Sequence, residues 1–563
     1  MKGRTYLSKS HKSKIAQIYA LLPLIAACTA ADAQLPDLIN DEINANVYLP
    51  DFSYAGYGFG LEDIPTSKGK IFDVTTYGAI PDDGIDDSAA ILEALSAAHA
   101  YKNTAIVYIP KGRFILSEIL NINRSDIVLR GAGRGSEGTE LHFPRPLRIV
   151  GDDGKLDELR KYIIDLDKRQ RDKKTNLDVY FSEYSWSGGF IWIGQKGSRP
   201  APYLEEFDSV STPDAKALTG KRGELTLTVN DTNALSSGQW MQILWYNKTG
   251  ENSPIIKALY GDADVKVGSH HWTFKNRPLV AQKTKILSIE GDQVTIANPL
   301  LHDISDTLPA QLHLWDPLEN VGVEDLKISF PNAAHYGHHT EEGFNAIYFT
   351  GSANGWVRNL TTENADSGIL TYSSSNLTLR DIRTQGERPA HYGVHLGNVH
   401  NILVERLQVF NPVLHSLTFN TQATRNVYTD AQVFNGSTLD QHAGANHQNL
   451  FDNVTLHIEA KRDDGKAVYP LFDGSGAGYW QPGHGGFNTA WNLNVIVESG
   501  ADTDEIVTLQ GLDEGPDARI IGLSGNRKFE LDYRPKPYID FLNRPITHAP
   551  SLYYYQRSQR LPK

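Results

Sequence analysis

Apolar and polar positions recur in step between residues 320 and 455. Asn320, Asn354, Asn376, Asn401, Asn426 and Asn449 each open a short strand-like run: NVGVEDLKI, NGWVRNLTT, NLTLRDIRT, NILVERLQV, NVYTDAQVF and NLFDNVTLH. The intervals are 34, 22, 25, 25 and 23 residues. Three residues after the first four asparagines stand Val323, Val357, Leu379 and Val404; six after them stand Leu326, Leu360, Ile382 and Leu407. The last two runs drift by a residue, as a bulge would allow. A period of about 23 residues built from short β runs predicts the coil of a parallel β-solenoid, its like positions stacked about 4.8 Å apart. The apolar positions then form internal columns and the asparagines a ladder at a turn.

Upstream, residues 34–70 are Pro-, Asp- and Tyr-rich and read as an extended lead-in. Residues 71–150 read as a cap and first coils. Their helix has Asp87 as cap and Ile91, Leu92, Leu95 and Ala98 as its buried stripe. Such a cap covers the open end of a solenoid, whose edges are otherwise unpaired. Residues 151–310 read as insertions: a charged helix over 152–174, then a small β subdomain whose alternating strands turn at Glu290-Gly291-Asp292. FSEYSWSGGFIWIG at 181–194 reads as a core strand. The solenoid core is placed at 311–500, resuming near Leu312, and 501–563 at its end, with SLYYYQRSQRL packed over the last coil.

The basic stretch Met1–Lys14, the apolar run Ile15–Ala31 and Ala31-Asp32-Ala33 make residues 1–33 a secretory signal peptide. Ile25-Ala26-Ala27-Cys28 also fits a bacterial lipobox, so the destination is secreted or periplasmic, with an outer-membrane lipoprotein as the variant. Any membrane contact runs through a lipid on Cys28, the only cysteine. Without the leader the formal net charge moves from −13 to −17, which argues against nucleic acid as a partner. A local basic groove can still attract an anionic chain.

Ten of the 19 histidines fall within 335–457, a stretch with six arginines and no lysine. Aligning SGIL, YGVH and SLTF places Asp366, His391 and His415 in one column, about 5 Å apart. Arg388 lies in the turn feeding that rung. These four are the catalytic candidates. Tyr336, His338, His339, Glu342, Tyr392, His395, His442 and His447 are the candidates for substrate contact. HYGHH and HYGVH, with Glu341, Glu342, Glu363 and Asp366, offer donors to a cation, but their spacing matches no closed zinc site. No metal ligand is therefore assigned and no cofactor required; a divalent cation such as calcium is the one addition considered.

DVTTYGAIPDDGIDDSAAI, IPKGRF and LRGAG together resemble the opening of the pectate-lyase-like superfamily. That resemblance implies an all-β, single-stranded right-handed parallel β-helix. The segment from HHTEEGFNAIYF to NHQNLFDNV resembles secreted bacterial polysaccharide lyases, glycosaminoglycan- and uronate-active ones in particular. β-Elimination at a uronic acid needs a cationic group for the carboxylate, a base for the C5 proton and an acid for the leaving oxygen, and Arg, His and Tyr supply those types. The expected activity is thus lyase cleavage of a uronate-containing anionic polysaccharide. A glycoside hydrolase would need two carboxylates across a cleft, drawn from Glu342, Glu363, Asp366, Glu387 and Asp440. A non-catalytic glycan binder is the third reading.

Overall fold

The computed structural model describes residues 35–39, 48–170, 181–201, 211–248, 250–263, 265, 277–442, 444–473, 483–511 and 515–561. The leader and Cys28 lie outside them.

The chain folds as a right-handed parallel β-helix. Its first sheet is made by the asparagine runs. Val323 pairs with Val357, Val357 with Leu379 and Leu379 with Val404, while Leu326, Leu360 and Ile382 form the neighbouring column. All are fully buried, a burial contributing roughly 1.5–3 kcal/mol per side chain. In a flat strand, residues three apart would point to opposite faces. Here Asp325, Asn359, Asp381 and Arg406, between the two columns, adopt φ of 60°, 51°, 57° and 55°, and this left-handed step turns both columns inward.

The ladder asparagines do the same at the turn: Asn320, Asn354, Asn376 and Asn401 have φ of 58°, 50°, 53° and 56°. Asparagine tolerates this region because its short amide bonds locally. The drift in the last two runs is a change of device rather than a bulge. Arg425 and Gln448 take the left-handed positions, at 55° and 54°. Asn426 and Asn449 instead use their side chains: Asn426 Oδ1 accepts from Ile402 N at 2.8 Å and Asn449 Oδ1 from Asn426 N at 3.0 Å.

The second sheet carries the site. It runs in parallel through Leu120–Ile122, Ile191–Ile193, Asn345–Thr350, Ser367–Tyr372, Ala390–Leu396, Val413–Phe419, Leu439–Asp440 and Phe472–Asp473. The extra length of the 34-residue interval is a loop from 331 to 344, largely without regular structure.

The helix Ser88–Ala100 buries Ile91, Ala94, Leu95 and Ala98, with Leu92 only partly covered. Asp87 occupies the cap position but does not cap; its Oδ1 accepts from Ile80 N at 2.9 Å. The insertion contains the helix Asp157–Gln170 and a closed six-stranded antiparallel barrel spanning Ala215–Leu314. Leu312 belongs to this barrel, and the coils resume at Leu318. The C-terminal helix Leu552–Arg560 does not sit over the last coil. It lies along the flank of several: Asp452 Oδ1 accepts from Leu552 N at 2.8 Å, and Tyr553 donates to Ala55 O at 3.0 Å. Phe52, Leu403, Val427, Leu450, Trp491 and Ile521 share that apolar strip.

Candidate active site

His391 lies on Ala390–Leu396 and His415 on Val413–Phe419, adjacent strands of the second sheet. The register differs by one from the sequence alignment. His391 N donates to Asp366 O at 2.8 Å, so those two do neighbour each other, but His415 stands opposite Tyr392. A slip of one residue ordinarily reverses the face. The imidazoles nevertheless meet, with ring centres 5.3 Å apart. Tyr392 fills the corner, its ring stacked on His391 at 4.0 Å and lying 5.3 Å from His415 and 4.7 Å from His395.

Each imidazole faces a buried carboxylate. His391 Nδ1 is 3.1 Å from Glu341 Oε1, and Glu341 Oε2 accepts from Ser185 Oγ at 2.5 Å. His415 Nδ1 is 3.0 Å from Asp440 Oδ2, which accepts from Thr418 Oγ1 at 2.6 Å and lies 3.4 Å from His442 Nδ1. The loop brings His338 over the pair: its Nε2 is 3.1 Å from His391 Nε2, and its ring is 5.7 Å from His415. His338 and His442 form the solvent side of the group; the side chains of His391 and His415 are 1% and 4% exposed, that of His442 18%.

Burial governs the electrostatics. Loss of water, and then the neighbouring His415 and His338, hold His391 well below the ordinary imidazole range. The same causes, His415 first among the neighbours, bring His338 down to about 4. His395, wholly enclosed, falls to about 3, with His442 and His415 adding to the effect of burial. Burial pushes Asp440 up, but the imidazoles of His415 and His442 outweigh it and hold the carboxyl well below its usual range. His338, His391 and His395 are neutral at working pH, and Asp440 is an anion.

Several candidates fall elsewhere. Arg388 and Asp366 form a buried ion pair, Nη1 to Oδ1 at 2.8 Å, with side chains 1% and 0% exposed. The guanidinium lies over Phe344 at 4.7 Å, and Asp366 Oδ2 accepts from Gly343 N and Phe344 N at 3.0 and 2.8 Å. The pair pins the end of the 331–344 loop and does not present a cation to a substrate. Replacing Arg388 by methionine should cost about 3–5 kcal/mol, because Asp366 is left buried and uncompensated; urea denaturation measures it, and an unchanged midpoint would deny the pair this role. His447 is remote from the group. It sits in a bridge ladder with His400 and Thr424 at another turn, with Nε2 2.9 Å from His302 Nε2 of the barrel segment. Tyr336 is 69% exposed on the loop. His339, by contrast, stays with the group: its ring lies 3.6 Å from His338 and 5.6 Å from His391, and it packs against Phe181 and Trp186 at 5.0 and 5.1 Å. Glu342 contributes its backbone carbonyl to Arg148 N at 3.1 Å, whereas its neighbour Glu341 reaches the imidazole.

Sequence reasoning missed Glu341 and Asp440 as imidazole partners. Asp440 pairs with Thr418, three residues along the strand from His415, a signal available once strand register is known. Among the described residues, two sets of donor atoms lie within 4.8 Å of one another: His338, His391 and His415; and His415, Asp440 and His442.

Residues 71–141 match the family model described as rhamnogalacturonase A/epimerase, pectate lyase-like. Among solved structures, the tailspike gp61 of Pseudomonas phage phi297 is 12% identical, covering 84% of this chain and 80% of its own, with a TM-score of 0.46. The A-module of the mannuronan C-5 epimerase AlgE4 of Azotobacter vinelandii is 12% identical over 84% and 97%, at 0.36. DFA-IIIase from Arthrobacter chlorophenolicus A6 is 12% identical over 84% and 94%, at 0.37. No curated protein matches the chain. None of these likenesses bears on the chemistry of the imidazole group.

Proposed function

We propose that the protein is an exported polysaccharide lyase that cleaves a uronate-containing anionic polysaccharide by β-elimination. One observation carries this reading: the carboxylates at the site are bound to basic side chains, Glu341 to His391, Asp440 to His415 and His442, and Asp366 to Arg388. Glu363 lies on the other sheet, 3.2 Å from Lys327. A hydrolase needs one carboxyl as acid and another as base or nucleophile, and here the groups placed for proton transfer are imidazoles.

His442 is the proton-transfer group. It is the more exposed of the two imidazoles on Asp440, and that anion stabilises it once protonated. It takes the C5 proton; the electron pair forms the C4–C5 double bond as the C4–O bond breaks, and the same imidazole returns a proton to the leaving oxygen. His338, His391 and His415 gather at the uronate carboxylate.

The test is a panel of chondroitin, hyaluronan, alginate, ulvan and pectate followed in the ultraviolet. At least one should yield product absorbing through the new conjugated double bond. New reducing ends without that absorbance would make the protein a hydrolase. Retention of a glycan with no shortening would make it a binder.

A further inference from the structure

The uronate carboxylate requires a positive charge opposite it, and Arg388 is spent on Asp366. We propose that His338, His391 and His415 bind one divalent transition-metal ion of the zinc class, with Glu341 and Asp440 as the carboxylates behind the ligands. The site stands on its own geometry; its use, to hold and neutralise the uronate carboxylate, rests on the lyase reading.

The three imidazoles each bring a donor nitrogen within 4.8 Å of the other two. His338 Nε2 and His391 Nε2 are already 3.1 Å apart. A tetrahedral ion with metal–nitrogen bonds of about 2.0–2.1 Å sets its ligand nitrogens roughly 3.3 Å apart, so that pair needs to open only slightly. Ligating histidines almost always pass their other ring N–H to a carboxylate, which fixes the tautomer and raises basicity. His391 Nδ1 on Glu341 and His415 Nδ1 on Asp440 reproduce that arrangement, at 3.1 and 3.0 Å. The carboxylates are themselves held, by Ser185 and Thr418, as such supporting groups commonly are. Imidazole donors favour zinc, copper or nickel over calcium and magnesium, which prefer oxygen.

The full-length protein is treated with a chelator, then titrated with Zn²⁺ by calorimetry and with Co²⁺ by visible absorption. The expected result is one ion per chain, no competition from Ca²⁺, loss of binding in His338→Ala, and about 10–100-fold weaker binding in Glu341→Gln. His338 lies on the exposed loop, so its replacement leaves the coils intact, which circular dichroism checks. A folded, chelator-treated protein that takes up neither ion overturns the proposal. So does binding that survives His338→Ala and is lost in His442→Ala, which would move the ion to His415, Asp440 and His442. Stoichiometric binding with no product from any uronate glycan leaves the site standing and removes the lyase reading. Full turnover by the stripped protein leaves the lyase and overturns the ion's part in it.

Discussion

Replacing His442 by alanine lowers kcat on the cleaved glycan by about 10²–10⁴-fold, the usual contribution of a positioned proton-transfer group. KM changes little, because the carboxylate end of the site is made by other side chains. His391→Ala and His415→Ala also abolish turnover, but for a different reason, and they abolish ion binding with it. His442→Ala keeps the ion. The comparison separates the proton-transfer group from the group that holds the substrate's charge. An unchanged kcat in His442→Ala, with circular dichroism matching the parent, would remove His442 from the mechanism and return the proton to His391 or His415.

The second large effect is on stability, and it comes from acid. His447 and His484 are enclosed completely and brought down to about 4 and 3, with burial the first cause in both; His395 behaves alike at about 3. His302, His391 and His400 lie well below the ordinary value, again through burial first. In the unfolded chain these imidazoles titrate near the ordinary 6.5. Below that pH the unfolded state takes up protons that the folded state refuses. The stabilisation is therefore complete above about pH 6.5 and is lost as pH falls towards 4. For His447 alone, a fall from 6.5 to about 4 is worth roughly 3 kcal/mol. Six buried imidazoles shifted in the same direction act together against a stability of about 5–15 kcal/mol typical of a domain, so unfolding should set in within that window. Asp452 opposes the trend: burial raises it to about 7, and it favours the folded state more as pH falls. One carboxyl does not offset six imidazoles. A thermal midpoint that stays level from pH 6.5 to 4.5 would contradict these environments.

The scaffold could be read from the chain because its signals are local and repeated. Asparagine fills the left-handed turn position at Asn320, Asn354, Asn376 and Asn401, and Val323, Val357, Leu379 and Val404 then follow at a fixed offset. The candidate site was legible only in part, because it depends on register between rungs joined by turns of unequal length. His391 and His415 were brought to the same place, but a 25-residue step from Ser367 to Tyr392 and a 23-residue step from Tyr392 to His415 could not be resolved to one residue by aligning strands. Arg388 looked like a substrate cation because nothing in the sequence reveals that Asp366 consumes it. His447 was misplaced because the barrel insertion brings His302 against it, a contact between segments 145 residues apart. Glu341, rather than Glu342, reaches the imidazole through the path of an aperiodic loop, and no repeat encodes that path.

The separation between reactive groups on neighbouring rungs is fixed by main-chain hydrogen bonding and not by the amount of polypeptide that joins them. Intervals from 22 to 34 residues occur along this one spiral, and strand pairing stays continuous through all of them. Connections between rungs can therefore lengthen, shorten or change composition while His391 and His415, both on paired strands, keep their spacing; only His338 and Glu341, carried by the 331–344 loop, depend on the length of the chain that brings them in.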